Sequence, residues 1–271
     1  MHFSFEHAGA TFVGERQGEG QPVIFLHCGV GDHRQWYAQV EHFGQNALAV
    51  AYTRRGFGDT KHDDRAFSHV DDLIALIDYL GAEKAILVGN SMGGALAIDT
   101  VLVHPDRVSK ICIIGSAVTG DDGSWFDDND NPDVVNEMLK SYKEAYSKKD
   151  YEALLQISTH VWLGGPTSDA GRVSQEHRDL FAKMNKAIYA QTPPSQEIAR
   201  SSAFDRLSEI QHDVLAICGK LDLPYMVALH RRFEAEFPKI KSHFVDDVAH
   251  LPALERPDLI NPLIDAFIFD D

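Results

Sequence analysis

A serine lies in the motif G-x-S-x-G at positions 89–93, between an apolar run and an amphipathic segment. The run Lys84–Asn90 predicts a strand and the segment Ser91–Val103 predicts a helix. Small residues two positions before and after the serine allow a sharp turn from strand to helix, which exposes the hydroxyl at the edge of a sheet. The helix N-terminus would favour negative charge developing there. This pattern predicts Ser91 as a nucleophile.

A serine hydroxyl needs a histidine to take its proton and a carboxylate to orient that histidine. Of the fourteen histidines, His250 is the best candidate, since it follows the last predicted strand and precedes the final helix. Asp222 follows the preceding predicted strand, and Asp246 and Asp247 are the alternative acids. We therefore predict the catalytic residues Ser91, Asp222 and His250, each just beyond a strand.

A second turn that could assist this chemistry is His27-Cys28-Gly29-Val30, which follows a predicted strand. A glycine-containing turn of this kind can direct a backbone N–H toward an oxyanion, and the residue after the nucleophile supplies a second donor. The predicted oxyanion hole is therefore formed by the amides of Gly29 and Met92.

Strands and helices alternate along most of the chain, and this alternation predicts how these residues are brought together. Most of the predicted strands read as continuous apolar runs, which is typical of parallel strands covered on both faces. Before them, Phe3–Glu6 and Thr11–Glu15 predict an antiparallel edge hairpin. The fold class is therefore α/β, with a mostly parallel, doubly wound sheet. The predicted parallel strands are Pro22–Cys28, Ala47–Thr53, Lys84–Asn90, Lys110–Gly115, Val214–Gly219 and Ser242–Asp246.

Residues 119–207 break the alternation, because they carry helical patterns without a convincing strand. An insertion between two parallel strands would lie at their carboxyl ends, where such sheets bind ligands. We therefore predict two domains: a core formed by residues 1–118 and 208–271, and a helical lid formed by residues 119–207. The predicted lid helices are Val134–Ser147, Tyr151–Thr159 and Ser174–Ala190.

With these features the chain resembles the α/β-hydrolase superfamily, over about Pro22–Gly115 and Val214–Phe269. The resemblance assigns the nucleophile elbow to Ser91, the acid to Asp222 and the base to His250. Cys28 stands where the family's oxyanion turn usually has glycine. Arg54-Arg55-Gly56-Phe57-Gly58 resembles the family's R-G-x-G loop. Around Leu221–Pro224 and Ala249–Pro257 the chain is similar to the enol-lactonase and carboxylesterase branch.

Several apolar residues are candidates for lining the substrate pocket. Cys28 lies beside the predicted oxyanion hole, and the lid contributes aromatic residues and a methionine that could contact an acyl group, although they could equally be packing residues. The predicted substrate-binding residues are Cys28, Trp125, Phe126, Met138 and Trp162. The acidic run at 121–133 lacks the glycine and glutamate positions of an EF-hand. We therefore expect no metal and no cofactor.

The charge balance restricts the partners. With 25 basic and 41 acidic residues the formal net charge is −16, and the basic residues cluster only in pairs. Nucleic acid and anionic membranes are therefore disfavoured as partners. Three isolated cysteines and the lack of an N-terminal apolar segment lead us to expect a soluble, cytoplasmic protein with reduced thiols. The sequence does not indicate the oligomeric state.

The predicted function is that of a serine hydrolase, of the carboxylesterase or lactonase type, which cleaves a small ester or lactone through an acyl-enzyme. One alternative is a carbon–carbon bond hydrolase of dienoate meta-cleavage products, which the G-N-S-M-G-G elbow also resembles. Its anionic substrates would need a basic residue such as Arg172, Arg178 or Lys183 in the cavity. Another alternative is a ligand receptor that retains the triad.

Overall fold

The architecture is that of a nine-stranded sheet flanked by helices, seen in a computed structural model that describes residues 1–127, 131–169, 171–199 and 201–269. The strands are β1 (His2–His7), β2 (Ala10–Gln17), β3 (Pro22–Leu26), β4 (Leu48–Tyr52), β5 (Lys61–His62), β6 (Ala85–Asn90), β7 (Val108–Ile114), β8 (Val214–Gly219) and β9 (Ile240–Val245). The helices are α1 (Tyr37–Phe43), α2 (His69–Tyr79), α3 (Met92–Val103), α4 (Asp133–Lys148), α5 (Tyr151–Ser158), α6 (Gln175–Tyr189), α7 (Pro224–Glu236), α8 (Pro252–Glu255) and α9 (Pro257–Phe269).

The sheet has the strand order β1-β2-β4-β3-β6-β7-β8-β9, and β5 pairs with β2. The strands from β4 to β9 in this order are parallel, whereas β1, β2 and β5 pair antiparallel at one edge. The predicted α/β fold and the predicted edge hairpin are confirmed. The alternation of strands and helices along the chain explains why these strands are parallel, because each helical crossover returns the chain to start a strand in the same direction.

The central strands are buried on both faces, which explains their continuous apolar sequence. In β3, Val23 and Phe25 belong to one hydrophobic cluster, which packs against α1 and α9. Ile24 and Leu26 belong to the other cluster, which packs against α2, α3 and α7. Successive side chains of a strand point to opposite faces, so each residue of such a strand enters one of two cores.

Between β7 and β8 the chain forms α4, α5, a π-helical turn at Thr159–Gly164, and α6. We call residues 119–207 the lid; this division of the chain into domains stays a prediction. The lid contacts the strand ends, since the side-chain amide of Asn185 on α6 donates to the carbonyl of Val30 at 2.9 Å. Among the described residues, no helix is long and apolar enough to span a membrane.

Candidate active site

Ser91 lies at the junction between β6 and α3, in a backbone conformation that non-glycine residues rarely adopt. Its φ is 54° and its ψ is −116°. The turn leaves no room for side chains at the flanking glycines: a Cβ on Gly89 would lie 2.3 Å from the Gly93 carbonyl oxygen, and one on Gly93 would lie 2.1 Å from the Leu26 carbonyl oxygen. The amide of Ser91 donates to the carbonyl of Ile114 at 2.9 Å. Steric constraints and this hydrogen bond therefore hold Ser91 in its strained conformation.

His250 and Asp222 form a buried hydrogen-bonded pair beside this turn. Nδ1 of His250 lies 2.8 Å from Oδ2 of Asp222, and the two side chains are 2% and 0% exposed. The other carboxylate oxygen of Asp222 accepts from the Leu223 amide at 2.7 Å. An ionised carboxylate only accepts hydrogen bonds, so this contact fits an imidazole proton on Nδ1 and leaves Nε2 as a hydrogen-bond acceptor.

The position of Gly115, directly after β7, relates this pair to the serine. A Cβ on Gly115 would lie 3.1 Å from Oδ2 of Asp222 and 3.2 Å from Nδ1 of His250. Gly115 follows Ile114, whose carbonyl accepts the amide of Ser91. The aspartate–histidine pair thus packs against the same strand end that fixes the serine turn.

Hydrogen bonds through the buried side chains of Gln35 and Asn90 connect the loops around the serine and the histidine. Asn90 donates through Nδ2 to the carbonyls of Ile114 at 2.8 Å and His250 at 3.0 Å. Its Oδ1 accepts from Gln35 Nε2 at 3.2 Å, and Gln35 Oε1 accepts the amide of Cys28 at 3.1 Å. Two buried amide side chains therefore join the turn after β3 to the serine turn and the histidine loop. We did not anticipate Gln35 from the sequence, since it lies within a 3₁₀ turn and its partner Asn90 is 55 residues further along the chain.

The side chain of Met92 lies against Gly29, so the two residues predicted to supply the oxyanion donors are in contact. A Cβ on Gly29 would lie 2.7 Å from Sδ of Met92. Because the Cys28 amide already donates to Gln35, Gly29 is better placed than Cys28 to offer its amide to a substrate. The cysteine does not disturb this turn, since Cys28 lies outside the left-handed region.

His27 supports the same turn from beneath. Its Nδ1 donates to the carbonyl of Cys28 at 2.7 Å, and its Nε2 accepts the amide of Arg54 at 3.0 Å. Burial lowers the pKa of His27 well below its usual value, and the nearby Arg54 lowers it further. A neutral His27 is what this pattern of one donor and one acceptor requires.

The predicted pocket residues separate into two groups. Trp162 lies on His250 with ring centroids 4.8 Å apart, and Met138 packs in a cluster with Trp162 and Leu223, the residue after Asp222. Cys28 packs against lid residues that include Phe181 and Met184. Trp162 therefore contacts His250 itself, whereas Met138 and Cys28 share clusters with the residues that follow Asp222 and His250, namely Leu223 and Leu251.

Trp125 and Phe126 pack against Tyr225, which itself borders the cluster of Met138 and Trp162. Both rings lie 5.5 Å from the ring of Tyr225 on α7, and the guanidinium of Arg232 lies 5.4 Å from the Trp125 ring. The indole N–H of Trp125 donates to Asp121 at 2.8 Å. These contacts join the entrance of the lid to α7.

Cys28 has the environment of a packing residue. Its side chain is fully buried, and burial raises the pKa of its thiol to about 12. A thiol is nucleophilic as its thiolate, so this burial disfavours covalent chemistry at Cys28.

Comparison with known proteins identifies the family. A family model described as "Alpha/beta hydrolase family" matches residues 23–263. The chain is 27% identical to a putative carbamate hydrolase, RutD, of Agrobacterium fabrum, over 91% of this chain and 93% of the relative. It is 33% identical to a 2-hydroxy-6-oxononadienedioate/2-hydroxy-6-oxononatrienedioate hydrolase of Comamonas testosteroni, over 91% of this chain and 87% of the relative.

Among solved structures, the chain is similar to Est816, described as an N-acyl homoserine lactone degrading enzyme, with a TM-score of 0.74 and 25% identity. The similarity covers 98% of this chain and all of that one (100%). The fold and the extent of these matches point to the same family. The chain therefore belongs to the alpha/beta hydrolase family.

Proposed function

We propose that the protein is a serine hydrolase that cleaves a small carboxylic ester or lactone through a Ser91–His250–Asp222 triad. The observation that carries this proposal is the buried hydrogen bond between His250 and Asp222, 2.8 Å long, beside a turn that holds Ser91 at a φ of 54°. The pair supplies a base with a defined tautomer. The turn supplies a serine fixed by its backbone, which lowers the entropic cost of reaching the attacking geometry.

In the proposed mechanism, Oγ of Ser91 attacks the substrate carbonyl carbon while Nε2 of His250 accepts the hydroxyl proton. The displaced carbonyl electron pair forms an oxyanion, which accepts hydrogen bonds from the amides of Gly29 and Met92. When the intermediate collapses, His250 returns the proton to the leaving alkoxide, and the acyl group stays on Ser91. In a lactone the released alcohol is part of the same acyl chain.

The second half of the reaction uses the same groups. Water attacks the acyl-enzyme while His250 takes its proton, and the amides of Gly29 and Met92 again hold the oxyanion. Collapse releases the acid, and the proton passes from His250 back to Oγ of Ser91. Throughout, Asp222 remains ionised and stabilises the imidazolium that forms twice in the cycle.

A neutral substrate is favoured by the positions of the lid's basic residues. Arg172 donates to Glu255 at 2.6 Å, and Arg178 donates to Gln175 at 2.8 Å and to the carbonyl of Val173. Lys183 is exposed on α6. Binding a substrate carboxylate through Arg172 or Arg178 would require breaking these protein contacts, which costs binding energy.

A second candidate is carbon–carbon bond hydrolysis, because the 33% identical relative is named as a hydrolase of a dienedioate. Such a substrate carries carboxylates, so this function would need Arg172 or Arg178 to leave its present partner, or another basic residue such as Lys183 to reach the substrate. A carbamate is a further acyl substrate to test, given the name of the RutD relatives.

The test combines active-site labelling with a substrate panel. We expect a fluorophosphonate to label the wild-type protein at Ser91 and to leave Ser91→Ala unlabelled. The panel holds p-nitrophenyl acetate, butyrate and octanoate, simple lactones, an N-acyl homoserine lactone, a carbamate and a meta-cleavage dienoate. Turnover of esters or lactones that disappears in Ser91→Ala supports the proposal. Preferred turnover of the dienoate would replace it with the second candidate, and stoichiometric binding without turnover would indicate a receptor.

A further inference from the structure

We propose that Arg172 of the lid and Glu255 of the core are positioning residues for His250. Together they hold the segment 247–250 and attach it to the end of the lid's π-helical turn, where Trp162 contacts the histidine. This inference rests on the proposed function, because it takes His250 as the catalytic base.

Arg172 binds both the lid and the histidine loop through one guanidinium. On the lid side, its Nε donates to the carbonyl of Gly164 at 3.0 Å and its Nη2 donates to the carbonyl of Leu163 at 3.2 Å. On the core side, its Nη1 donates to the carbonyl of Asp247 at 2.7 Å, and its Nη2 donates to Oε2 of Glu255 at 2.6 Å. The planar fork thus fixes the distance between the two segments.

Glu255 continues this connection to the residue before the histidine. Its side chain is only 3% exposed, and its second carboxylate oxygen accepts the amide of Ala249 at 2.9 Å. The two oxygens of one carboxylate therefore bind Arg172 and the backbone directly preceding His250. A carboxylate fixed at both oxygens restricts the orientation of the peptide that it accepts from.

The loop that these residues hold has an unfavourable backbone. Asp247 has a φ of 57°, in the left-handed region that aspartate tolerates better than most residues but that still costs free energy. Nη1 of Arg172 donates to the carbonyl of this same Asp247. The hydrogen bond stabilises the turn that directs the chain into His250.

The lid contacts His250 directly at the same place. The amide of His250 donates to the carbonyl of Trp162 at 3.2 Å, and the two rings lie 4.8 Å apart. A Cβ on Gly165 would lie 2.7 Å from the carbonyl oxygen of Leu221, the residue before Asp222. This end of the lid is therefore packed against the loops of both the base and its acid, and a shift here would move them.

The charge of Glu255 depends on the same contacts. Burial raises the pKa of Glu255 to about 7, whereas the Ala249 amide and Arg172 act to lower it. Without the guanidinium, the buried carboxyl would be left without a cation, which favours its neutral form. Loss of Arg172 would thus weaken both connections to the histidine loop.

The test compares Arg172→Met and Arg172→Lys with Arg178→Met. Arg178 is a matched control, since it is a lid arginine whose hydrogen bonds go to Val173 and Gln175 of the lid. We expect both Arg172 variants to lose about 10- to 100-fold in kcat for p-nitrophenyl butyrate, because small displacements of a catalytic group have effects of this size. Their KM should change less than about threefold, and Arg178→Met should keep the wild-type kcat.

An NMR measurement reports on the hydrogen bond of His250 and needs no substrate. In protein labelled with ¹⁵N-histidine, the Nδ1 proton shared with Asp222 should give a downfield NMR signal, assigned by its loss in Asp222→Asn. We expect this signal to shift or broaden in Arg172→Lys and Glu255→Gln and to stay in place in Arg178→Met. Folding is checked by circular dichroism, and Arg172→Lys serves if Arg172→Met does not fold.

Wild-type kcat together with an unshifted signal in a folded Arg172→Lys would overturn the proposal, since lysine cannot reproduce the fork. A loss of kcat in Arg178→Met equal to that in Arg172→Met would also overturn it. If the wild-type protein hydrolyses no ester and is not labelled by a fluorophosphonate, the proposed function fails, and the NMR comparison still decides whether Arg172 orients His250.

Discussion

Replacing Ser91 by glycine should abolish hydrolysis and, at the same time, make the protein more stable than the corresponding alanine variant. Ser91 has a φ of 54° and a ψ of −116°, a combination that glycine adopts readily and that any side chain with a Cβ adopts at a cost. Alanine removes the hydroxyl but keeps the Cβ, so Ser91→Ala retains the strain that Ser91→Gly releases. The pair of variants therefore isolates the cost of the backbone conformation from the loss of the hydroxyl.

The expected difference follows from two opposing terms. A residue held in such a sparsely populated conformation stores about 1–3 kcal/mol. Glycine also makes the unfolded chain more flexible, which costs about 0.4–1 kcal/mol relative to alanine. The net expectation is that Ser91→Gly exceeds Ser91→Ala by about 1 kcal/mol in the free energy of unfolding, which corresponds to ~2 °C in Tm for a domain of this size.

Urea unfolding followed by circular dichroism measures the free energies, with fluorophosphonate labelling as the check on activity. The control pair is Ser109→Gly and Ser109→Ala, because Ser109 lies in the extended backbone of β7. There glycine should be the less stable of the two, by about 0.5–1 kcal/mol. If Ser91→Gly is no more stable than Ser91→Ala while the Ser109 pair behaves as expected, the turn stores no strain and the reasoning is wrong.

Three further outcomes are expected. Asp222→Asn should lower kcat for p-nitrophenyl butyrate by about 10³–10⁴-fold with little change in KM, since the amide cannot enforce the Nδ1 tautomer; wild-type kcat would exclude Asp222 as the acid. Burial lowers the pKa of His230 to about 4, and its Nε2 donates to Ser242 at 2.9 Å. Between pH 6.5 and 4 the unfolded chain therefore binds a proton at this position that the folded protein does not. The free energy of unfolding should thus decrease as the pH is lowered through this range, by up to about 3 kcal/mol from this group. In urea titrations His230→Gln should lose less stability over this range than the wild type, and equal losses would contradict the assignment. Finally, burial raises the pKa of Cys28 to about 12, so iodoacetamide at pH 8 should modify it only after unfolding in urea, as read by mass spectrometry; modification of the folded protein would contradict this environment.

The fold was predictable because its central strands are buried on both faces and are therefore continuous apolar runs in the sequence. Residues 84–90 predict a strand, and β6 spans Ala85–Asn90; the prediction of a strand at Val214–Gly219 agrees with β8 at both ends. The short β5, by contrast, has two residues and no apolar period, and it is held only by its pairing with β2. Such an element depends on tertiary contacts that local patterns do not encode.

The candidate site was predictable where each residue follows a strand and unpredictable where it depends on side-chain packing. Ser91 was predicted from its G-x-S-x-G motif, and Asp222 and His250 from their positions after predicted strands. Trp125 and Trp162 are both lid tryptophans, yet Trp162 contacts His250 and Trp125 contacts α7, and no difference in their types separates them. The packing of the lid on the core decides which tryptophan reaches the histidine.

The backbone of His250 is held by hydrogen bonds from both the core and the lid. Its carbonyl accepts from Asn90 of the core at 3.0 Å, and its amide donates to the carbonyl of Trp162 of the lid at 3.2 Å. The core thus holds the carbonyl of His250, and the lid holds its amide. Because the lid's contribution is a carbonyl, the side chain at 162 can change without removing that hydrogen bond. Trp162→Phe should therefore alter the choice among esters in the panel, with the Nδ1 signal of His250 preserved. Loss of that signal in Trp162→Phe would mean that the indole ring, and not the backbone, orients the histidine.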